Sequence, residues 1–395
     1  MLFDMENIMD RIYSNGVSFD GKIPACKINE KGQYVLSKGG AWTDSFWVGV
    51  FYLAYAYTKE QKYLDIANKY QSFFKERVEN DAEVCKQKGY LPLDHDTGFI
   101  FSLSQVARYK LTGDIEAREI ALKAANILAA RFRENGNYIL AWDTWPWDND
   151  EQFIHEKKGK MIIDSMMNIP LLMWAYNETG DKRFEHIAVT HAHTVRKYIV
   201  RQDGSSYHQF NFDPETGVPV KGVTGQGYHD ESCWSRGQAW GIYGFALMYG
   251  YTKEIEFLET AIKLADYFIS NLDSSFIPLW DFSAKKTVYR PWDSSAGAIA
   301  ASGIIEISKH LNGEEEEKYL DIAKRIICHI TMHCGTLDME DYQPIILHGC
   351  IGPAYKKDDE KSLLNAYTDT PTVYGDYFYV EALVKIFDSN FAVFW

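Results

Sequence analysis

Apolar residues along this chain alternate between two helical patterns. Runs of the first kind are apolar nearly all round, which is typical of a helix buried on every side, and they fall at 48–57, 169–176, 241–251 and 296–307. Runs of the second kind have apolar residues at i, i+3, i+4 and i+7 with charged residues between them, at 58–78, 113–133 and 180–200. The pattern predicts buried helices alternating with amphipathic ones.

Short polar turns separate the members of each predicted helix pair. The six turns fall near Thr58, Gly113, Gly180, Thr252, Gly313 and Asp388. Six turns imply six helix pairs, with the buried helices ringed by the amphipathic ones. We therefore predict an all-α fold, a six-hairpin α/α barrel. An open α-solenoid is the alternative, but uniform repeats would favour it and these spacings are irregular.

The chain shows no linker of biased composition and no shift in composition along its length. We therefore predict a single catalytic domain over 1–395, with 1–40 as a lead-in segment. The connections from each amphipathic helix to the next buried one are long and rich in turn residues, as at 143–160 and 211–232. Long loops of this kind usually carry function.

Composition narrows the class of protein. Hydrophobic residues make up 46% of the 395 residues and charged residues 24%, the balance of a folded globular chain. The net charge of -14 disfavours nucleic acid and anionic membranes as partners. Aromatic residues reach 15%, and both a sugar-binding cleft and a large helical core would use them.

The cysteines and the first residues of the sequence indicate the cellular location of the protein. The six cysteines form no Cys-x-x-Cys pair, so free thiols are expected. The first residues are acidic where a signal peptide is basic, and no apolar run reaches the ~18 residues of a membrane span. We expect a cytoplasmic protein, either a monomer or a homodimer.

Five of the buried helices begin at an aspartate: Asp44, Asp96, Asp164, Asp293 and Asp376. Taken singly, each is best explained as a helix cap, because Asp accepts from the free N–H groups and complements the helix dipole. Their neighbours change the picture, since aromatic, imidazole and guanidinium side chains accompany them. If the buried helices run in parallel, these groups meet at one rim and form a pocket suited to an anionic sugar.

Other chemistries have little support in the sequence. Asp94, His95 and Asp96, or His191 and His193, are possible metal ligands, but no third and fourth ligand at a suitable spacing accompanies either group. The chain has no Gly-x-Ser-x-Gly elbow, phosphate loop or dinucleotide fingerprint. We therefore predict neither a metal ion nor another cofactor.

Five longer sequence motifs, taken together, resemble those of a known family. WTDSFWVGVFYLAYAYT, LDHDTGFIFSLS, MIIDSMMNIPLLMWA, GQGYHDESCWSRGQAWGIYGFALMY and VYGDYFYVEAL closely resemble the unsaturated glucuronyl hydrolases, family 88 of the glycoside hydrolases. The resemblance runs from about Trp42 to Leu383. It implies a six-hairpin α/α barrel acting inside bacterial cells on unsaturated uronic-acid disaccharides and oligosaccharides left by polysaccharide lyases, of the glycosaminoglycan type. The implied reaction hydrates the C4=C5 double bond of the terminal sugar.

The same resemblance implies roles for particular residues. Asp164 falls at the position of the general acid and base, and Asp96 at the second essential aspartate. The residues implied to bind the substrate are Trp42, Phe46, His95, Trp142, His208, Gln226, Arg236, Trp240 and Tyr355. The loop before the last buried helix has Lys356 and Lys357 but a serine pattern unlike that of relatives that bind sulfate there, so the sulfation preference stays open.

Three alternatives remain open on the sequence. The first is an unsaturated rhamnogalacturonyl hydrolase with the same barrel and pectin fragments as substrate. The second is an ordinary inverting glycosidase that uses Asp96 and Asp164 across a saturated bond. The third is a non-catalytic glycan-binding toroid that has kept the aromatic residues. The glycosidic linkage, the particular glycosaminoglycan and the pH optimum are not determined by the sequence.

Overall fold

Helices make up most of the chain in the computed structural model, which describes residues 3–145, 148, 151–286, 290–352 and 368–395. In chain order the helices are α1 (Met5–Phe19), α2 (Asp44–Thr58), α3 (Gln61–Asn68), α4 (Gln71–Glu79), α5 (Ala82–Lys88), α6 (Thr97–Phe101), α7 (Ala107–Thr112), α8 (Ile115–Ala129), α9 (Glu151–Lys158), α10 (Pro170–Thr179), α11 (Lys182–Tyr198), α12 (Ser235–Thr252), α13 (Ile255–Ser270), α14 (Ser294–Ser308), α15 (Glu314–Cys334) and α16 (Val373–Phe387). A π-helical turn, Ser102–Val106, joins α6 to α7, and 3-10 helices cover Ile163–Met167 and Phe282–Lys286.

Six helical units form an inner ring: α2, α6 with α7, α10, α12, α14 and α16. Neighbouring units pack against each other, and the ring closes because α16 packs against α2. Close packing depends on small residues. A Cβ on Gly303 of α14 would lie 2.8 Å from the Cα of Tyr243 on α12, so only glycine allows this approach. The all-α, six-hairpin α/α barrel predicted from the sequence is confirmed.

The structure explains why a glycine followed by an aspartate recurs at turns between inner and outer helices. At two of them a glycine adopts a left-handed φ, 72° at Gly113 and 73° at Gly180, and thereby ends the inner helix. The aspartate that follows caps the outer helix. Asp114 accepts from the N–H of Glu116, and Asp181 accepts from the N–H of Arg183, both at 2.9 Å.

The sixth pair differs from the prediction, because no outer helix follows α16 in residues 388–395. The outer position is taken by α1. The ring of Phe3, just before α1, lies edge-on to Phe387 at 6.4 Å, and Gly16 packs on the side chains of Phe51 and Ile66. The C-terminal residues instead turn inward, where the Trp395 ring stacks on Phe378. The segment expected as a lead-in therefore completes the outer ring.

Short strands occupy the long connections. β1 (Ile23–Ile28) pairs with β2 (Tyr34–Ser37), and β3 (Phe132–Arg133) pairs with β4 (Tyr138–Ile139). A three-stranded antiparallel sheet joins β5 (Lys160–Ile162), β6 (Gln209–Phe212) and β7 (Pro219–Val223). Because β5 runs directly into the 3-10 helix that contains Asp164, this sheet helps to position that residue.

Two further findings concern the described residues. All six cysteines lie within them and none is in a disulfide. None of the described helices is both long enough and apolar enough to cross a membrane. The single domain over 1–395 stays a prediction.

Candidate active site

A cavity of about 170 Å³ opens at the end of the ring where the inner helices begin. Six of the residues predicted to form the site line it: Trp42, His95, Asp96, Trp142, Asp164 and Gln226. The structure thus brings Asp96 and Asp164 to one cavity, as a shared substrate requires. Its walls also include Arg77 and Asp94 and the apolar side chains of Ile100 and Ile162.

Hydrogen bonds distinguish Asp96 and Asp164 from the other three aspartates. Asp293 caps α14, accepting from the N–H of Ala296 at 3.3 Å. Asp44 accepts from the N–H of Gly40 at 2.6 Å and pairs with Arg77, while Asp376 accepts from Tyr34 and from two backbone N–H groups. Neither Asp96 nor Asp164 caps its helix. Their carboxyl groups are therefore available for chemistry.

Asn168 ties together the segments that contain these two aspartates. Its Oδ1 accepts from the N–H of Phe99 at 2.6 Å, close behind Asp96, and its Nδ2 donates to the backbone oxygen of Asp164 at 3.1 Å. The contact also depends on Gly98, since a Cβ there would overlap the backbone of Asn168. The sequence analysis did not single out Asn168, although it lies four residues after Asp164.

Asp164 is 8% exposed, and the Oδ2 atom of its carboxyl has no hydrogen-bond partner in the described structure. The same oxygen lies 3.8 Å from Nε2 of His208. Burial raises the pKa of Asp164 to about 7, against smaller opposing effects from the Arg236 charge and the Trp240 indole N–H. A carboxyl with this pKa carries a proton in a large fraction of molecules at neutral pH, as a general acid must.

His208 faces Asp164 as a neutral hydrogen-bond donor. Its Nδ1 accepts from the backbone N–H groups of Gly225 at 3.1 Å and Gln226 at 3.2 Å, so that nitrogen carries no proton. Burial lowers the pKa of His208 to about 3, so the ring is neutral and its proton is on Nε2. The Nε2–H therefore points to the side of the ring where Asp164 lies.

Asp96 has a different electrostatic environment. Burial raises its pKa well above the ordinary value, and the nearby carboxyls of Asp94 and Asp164 raise it further. His95 Nδ1 lies 3.5 Å from the Asp96 carboxyl, and burial lowers the pKa of His95 well below its usual range. The raised pKa favours the neutral form of Asp96, and in that form the carboxyl can donate a hydrogen bond to a sugar hydroxyl.

Aromatic rings form the remaining walls. Trp42 stacks on Tyr374 with ring centroids 5.2 Å apart, and Trp142 meets the His95 ring edge-on at 5.5 Å. Both tryptophans are partly exposed, as a face that stacks on a sugar ring must be. Trp240 is fully buried; its indole N–H has no hydrogen-bond partner in the described structure, and it slightly lowers the pKa of Asp164.

Arg236 is engaged inside the protein. Its guanidinium donates to Asp293 at 2.8 Å, to Gln226 at 2.7 Å, to the backbone oxygen of Ile351 at 2.9 Å and to that of Cys350. Gln226 rather than Arg236 lines the cavity. Direct binding of a sugar carboxylate by Arg236 stays a prediction, and this geometry favours an indirect role in which Arg236 orients Gln226.

Besides His208, Arg236 and Trp240, two further predicted residues are absent from the lining of the described cavity. Phe46 is fully buried behind Trp42, whose ring it meets edge-on at 5.8 Å, so it supports that ring instead of facing the substrate. Tyr355 lies outside the described residues, as do Lys356 and Lys357. The sequence analysis missed Arg77 as a wall residue, because nothing separates it from the other arginines of the outer helices.

The possible metal ligands make other contacts within the protein. Ligand atoms of Asp94, His95 and Asp96 lie within 4.8 Å of one another, but Asp94 accepts from the backbone N–H of Asp96 at 2.9 Å. Burial raises the pKa of Asp94 to about 6 and raises that of Asp96 as well, so protons compete with a metal ion for both carboxyls. His191 accepts from the N–H of Ile139 at 3.0 Å, and His193 pairs with Glu254 at 2.9 Å.

A barrel of hairpins that brings two carboxyls and two tryptophans to a cavity at its mouth has the groups that a glycosidase needs. Comparison with known proteins identifies the family. The sequence profile of Glycosyl Hydrolase Family 88 matches residues 5–378, and the chain belongs to this family.

Characterised relatives and solved structures are similar over most of the chain. The unsaturated chondroitin disaccharide hydrolase of Streptococcus pneumoniae (strain ATCC BAA-255 / R6) is 35% identical over 364 residues, covering 92% of this chain and 85% of the relative. The structure of the unsaturated glucuronyl hydrolase of Bacillus sp. GL1 has a TM-score of 0.87 at 32% identity, covering 99% of this chain and 98% of that one. A variant of the Streptococcus agalactiae unsaturated glucuronyl hydrolase, complexed with dGlcA-GalNAc6S, has a TM-score of 0.79 at 31% identity, covering 99% and 92%.

Proposed function

We propose that this glycosidase is an unsaturated glucuronyl hydrolase. Its substrates are glycosaminoglycan-type oligosaccharides whose terminal glucuronic acid has a C4=C5 double bond, and it removes that sugar by hydrating the bond. Family membership and the names of the relatives support this substrate class. The chemistry is supported by the environment of Asp164.

In the first step Asp164 acts as general acid. A carboxyl whose pKa burial raises to about 7 can transfer its proton to C4 at neutral pH. The double bond then becomes a cation shared between C5 and the ring oxygen. The carboxylate left on Asp164 stabilises this charge at short range, because the surrounding cavity is largely closed to water.

In the second step water adds to C5. Asp164, now a carboxylate, takes one proton from that water, and the Nε2–H of His208, 3.8 Å from the Asp164 carboxyl, donates to the same water oxygen. The product is a hemiketal at C5. When it opens, the bond from C5 to the ring oxygen breaks, C5 becomes a ketone, and the ring oxygen stays on C1 as a hydroxyl. The resulting hemiacetal collapses to an aldehyde: the bond from C1 to the remaining oligosaccharide breaks, and the hydroxyl proton passes to the leaving oxygen.

Asp96 and the aromatic walls hold the sugar for both steps. A neutral Asp96 donates to a ring hydroxyl, and Gln226, oriented by Arg236, presents its amide to the cavity. Trp42 and Trp142 provide apolar faces for the ring. These contacts fix C4 against the Asp164 carboxyl.

One observation carries this proposal: a free carboxyl oxygen on Asp164 within a buried cavity, facing a neutral histidine donor. Asp164→Asn preserves the shape and removes the proton, so we expect at least a ~1000-fold loss of kcat. The assay follows the loss of ultraviolet absorbance of the double bond on an unsaturated chondroitin disaccharide.

Asp321→Asn is the matched control, because it removes an exposed carboxylate from the outer helix α15. It should retain wild-type kcat, and thermal unfolding should show that both variants are folded. Near wild-type turnover by a folded Asp164→Asn protein would refute the assignment.

Substrate panels separate the remaining alternatives. An unsaturated rhamnogalacturonyl hydrolase would prefer pectin-derived unsaturated disaccharides over chondroitin-derived ones. An ordinary inverting glycosidase would cleave saturated glucuronides as well, whereas hydration depends strictly on the double bond. A non-catalytic toroid is set aside, because the chain is a glycosidase of family 88.

We also propose a cytoplasmic location, supported by the six cysteines, which are all free thiols in the structure. That the protein is a monomer or a homodimer, binds no nucleic acid and needs no cofactor stays a prediction. Fractionation of the source cells and light scattering of the purified protein test location and assembly.

A further inference from the structure

A second cavity, of about 630 Å³, adjoins the one that contains Asp164. Trp142 lines both cavities, and Gly225 in the wall of the second is the neighbour of Gln226 in the first. The mechanism above assigns no role to this second cavity. Since a disaccharide held at Asp164 must place its other sugar next to the first cavity, the position suits the sugar that leaves.

The floor of the second cavity is one face of the sheet β5–β6–β7. The register pairs Lys160 with Asn211 and Asn211 with Lys221, so these three side chains form a row across the strands. The next residue on each of β5 and β6, Met161 and Phe210, is buried on the other face. Two ammonium groups therefore flank one amide on the cavity side.

The charges of this row are only partly compensated. Lys160 has Glu156 at 3.9 Å, a weak pair, and Lys221 forms no ion pair within the described residues. Burial lowers the pKa of Lys160; the carboxylates of Glu156 and Asp230 oppose this shift, and the charge of Lys221 adds a smaller lowering. Asp230, the other carboxylate in the wall, accepts from the N–H of Thr224 at 3.0 Å. The two lysines lie close enough to repel each other, and a bound anion would relieve that repulsion.

The row also contains a polar atom without a hydrogen-bond partner in the described structure. Asn211 is 8% exposed, and its Oδ1 is buried with no hydrogen-bond partner in the described structure. A buried polar atom of this kind is costly unless something bonds to it, and a sugar hydroxyl would do so. Lys160 precedes Asp164 by only four residues, so their Cα atoms are at most about 13 Å apart, within reach of a disaccharide.

We propose that this second cavity binds the leaving sugar and that Lys160 and Lys221 bind an anionic substituent on it, either a sulfate ester or a carboxylate. The inference rests on the proposed function and extends it to the second sugar. It places recognition of that anion on the sheet wall. The chain as a whole carries a net charge of -14, so attraction of such a group depends on these local cations.

The test measures KM and kcat of each variant on each of several substrates. Lys221→Gln removes one charge from an exposed side chain, and Lys160→Gln removes the other. Each is assayed on unsaturated disaccharides whose leaving hexosamine is unsulfated, 4-sulfated or 6-sulfated, and on one whose leaving sugar is a uronic acid. We expect KM for the preferred anionic substrate to rise about tenfold with little change in kcat, and KM for the unsulfated disaccharide to stay within about twofold.

Lys318→Gln is the matched control, because it removes a lysine charge from the outer helix α15. It should leave every KM unchanged. The preferred substrate identifies the anion: sulfate if one of the sulfated hexosamines shows the selective effect, carboxylate if the uronic acid does.

Equal effects of Lys221→Gln on charged and uncharged substrates, or no effect on either, would overturn the inference while leaving the proposed function intact. Lack of wild-type turnover on all of these disaccharides would instead refute the proposed function, and the inference with it. Thermal unfolding of Lys160→Gln separates a folding defect from a binding defect, and Lys221→Gln provides an independent result from an exposed position.

Discussion

At the scale of single residues, the site depends on which carboxyls are left without partners. Asp44 and Asp293 are paired with buried arginines, which hold their side chains in place. Asp164 has no such pair, and its pKa is raised because burial disfavours the charged form. The same type of residue at equivalent helix starts is therefore structural at one position and an acid at another.

This assignment predicts the shape of the pH profile. Asp164 must be protonated to act, and its pKa is about 7, so kcat/KM should fall about tenfold per pH unit above roughly pH 7. His208, whose pKa is about 3, should cause no loss of activity between pH 5 and 7. The measurement is kcat/KM from pH 5 to 9 on an unsulfated disaccharide. A profile that stays flat to pH 9 would contradict the role of Asp164 as acid.

At the scale of elements, the start of α6 and the 3-10 helix Ile163–Met167 bring the two aspartates together. Their contact has no room for a side chain at Gly98, and the Asn168 side chain bonds to both segments. The distance between Asp96 and Asp164 is thus set by a backbone-to-backbone contact. A small separation of these two elements should impair catalysis more than it impairs the barrel.

Gly98→Ala tests this relation. The added methyl overlaps the Asn168 backbone, so we expect about 1–3 kcal/mol of destabilisation and a loss of kcat of about 100-fold. Gly113→Ala is the control, because Gly113 has a φ of 72° with open space around it and the strain there is far from the cavity. It should lower the melting temperature and keep kcat. If Gly98→Ala keeps full activity, the contact does not position the aspartates.

At the scale of the whole molecule, buried ionisable groups make stability depend on pH in opposing ways. Burial raises the pKa values of Asp44, Asp164 and Asp376, so their contribution to stability falls as pH rises from about 4 to 7. Burial lowers the pKa values of His191 and His208, so their contribution falls as pH drops below about 6.5. The total profile mixes both effects, but a single variant isolates one group.

The variant Asp164→Asn isolates the contribution of Asp164 to the pH dependence of stability. The asparagine is neutral at every pH, whereas wild-type Asp164 loses stability between its unfolded pKa of 3.8 and its folded pKa of about 7. The free energy of unfolding of the variant minus that of the wild type should therefore grow on going from pH 4 to pH 8, by on the order of 2–4 kcal/mol. Urea unfolding at the two pH values measures it. A difference independent of pH would mean that Asp164 is not buried as a neutral acid.

Particular residues mark what could be predicted from the sequence and what could not. The turns at Gly113 and Gly180, and the apolar runs of the inner helices, follow from local rules and were predicted correctly. The sheet β5–β7 was missed because its strands are short and lie among turn residues. The outer helix of the sixth unit was placed after Asp388, although α1 fills that position from the other end of the chain.

By itself, the sequence determined the barrel and, through its resemblance to family 88, the pair Asp164 and Asp96, because helical periodicity, turn chemistry and long motifs are properties of contiguous residues. Only the tertiary structure decided which aspartates keep a free carboxyl, that Arg236 is engaged inside the protein, and that Lys160 and Lys221 share one cavity wall. The physical reason is that burial, pairing and strand register depend on residues distant in the chain, and these set both charge and pKa.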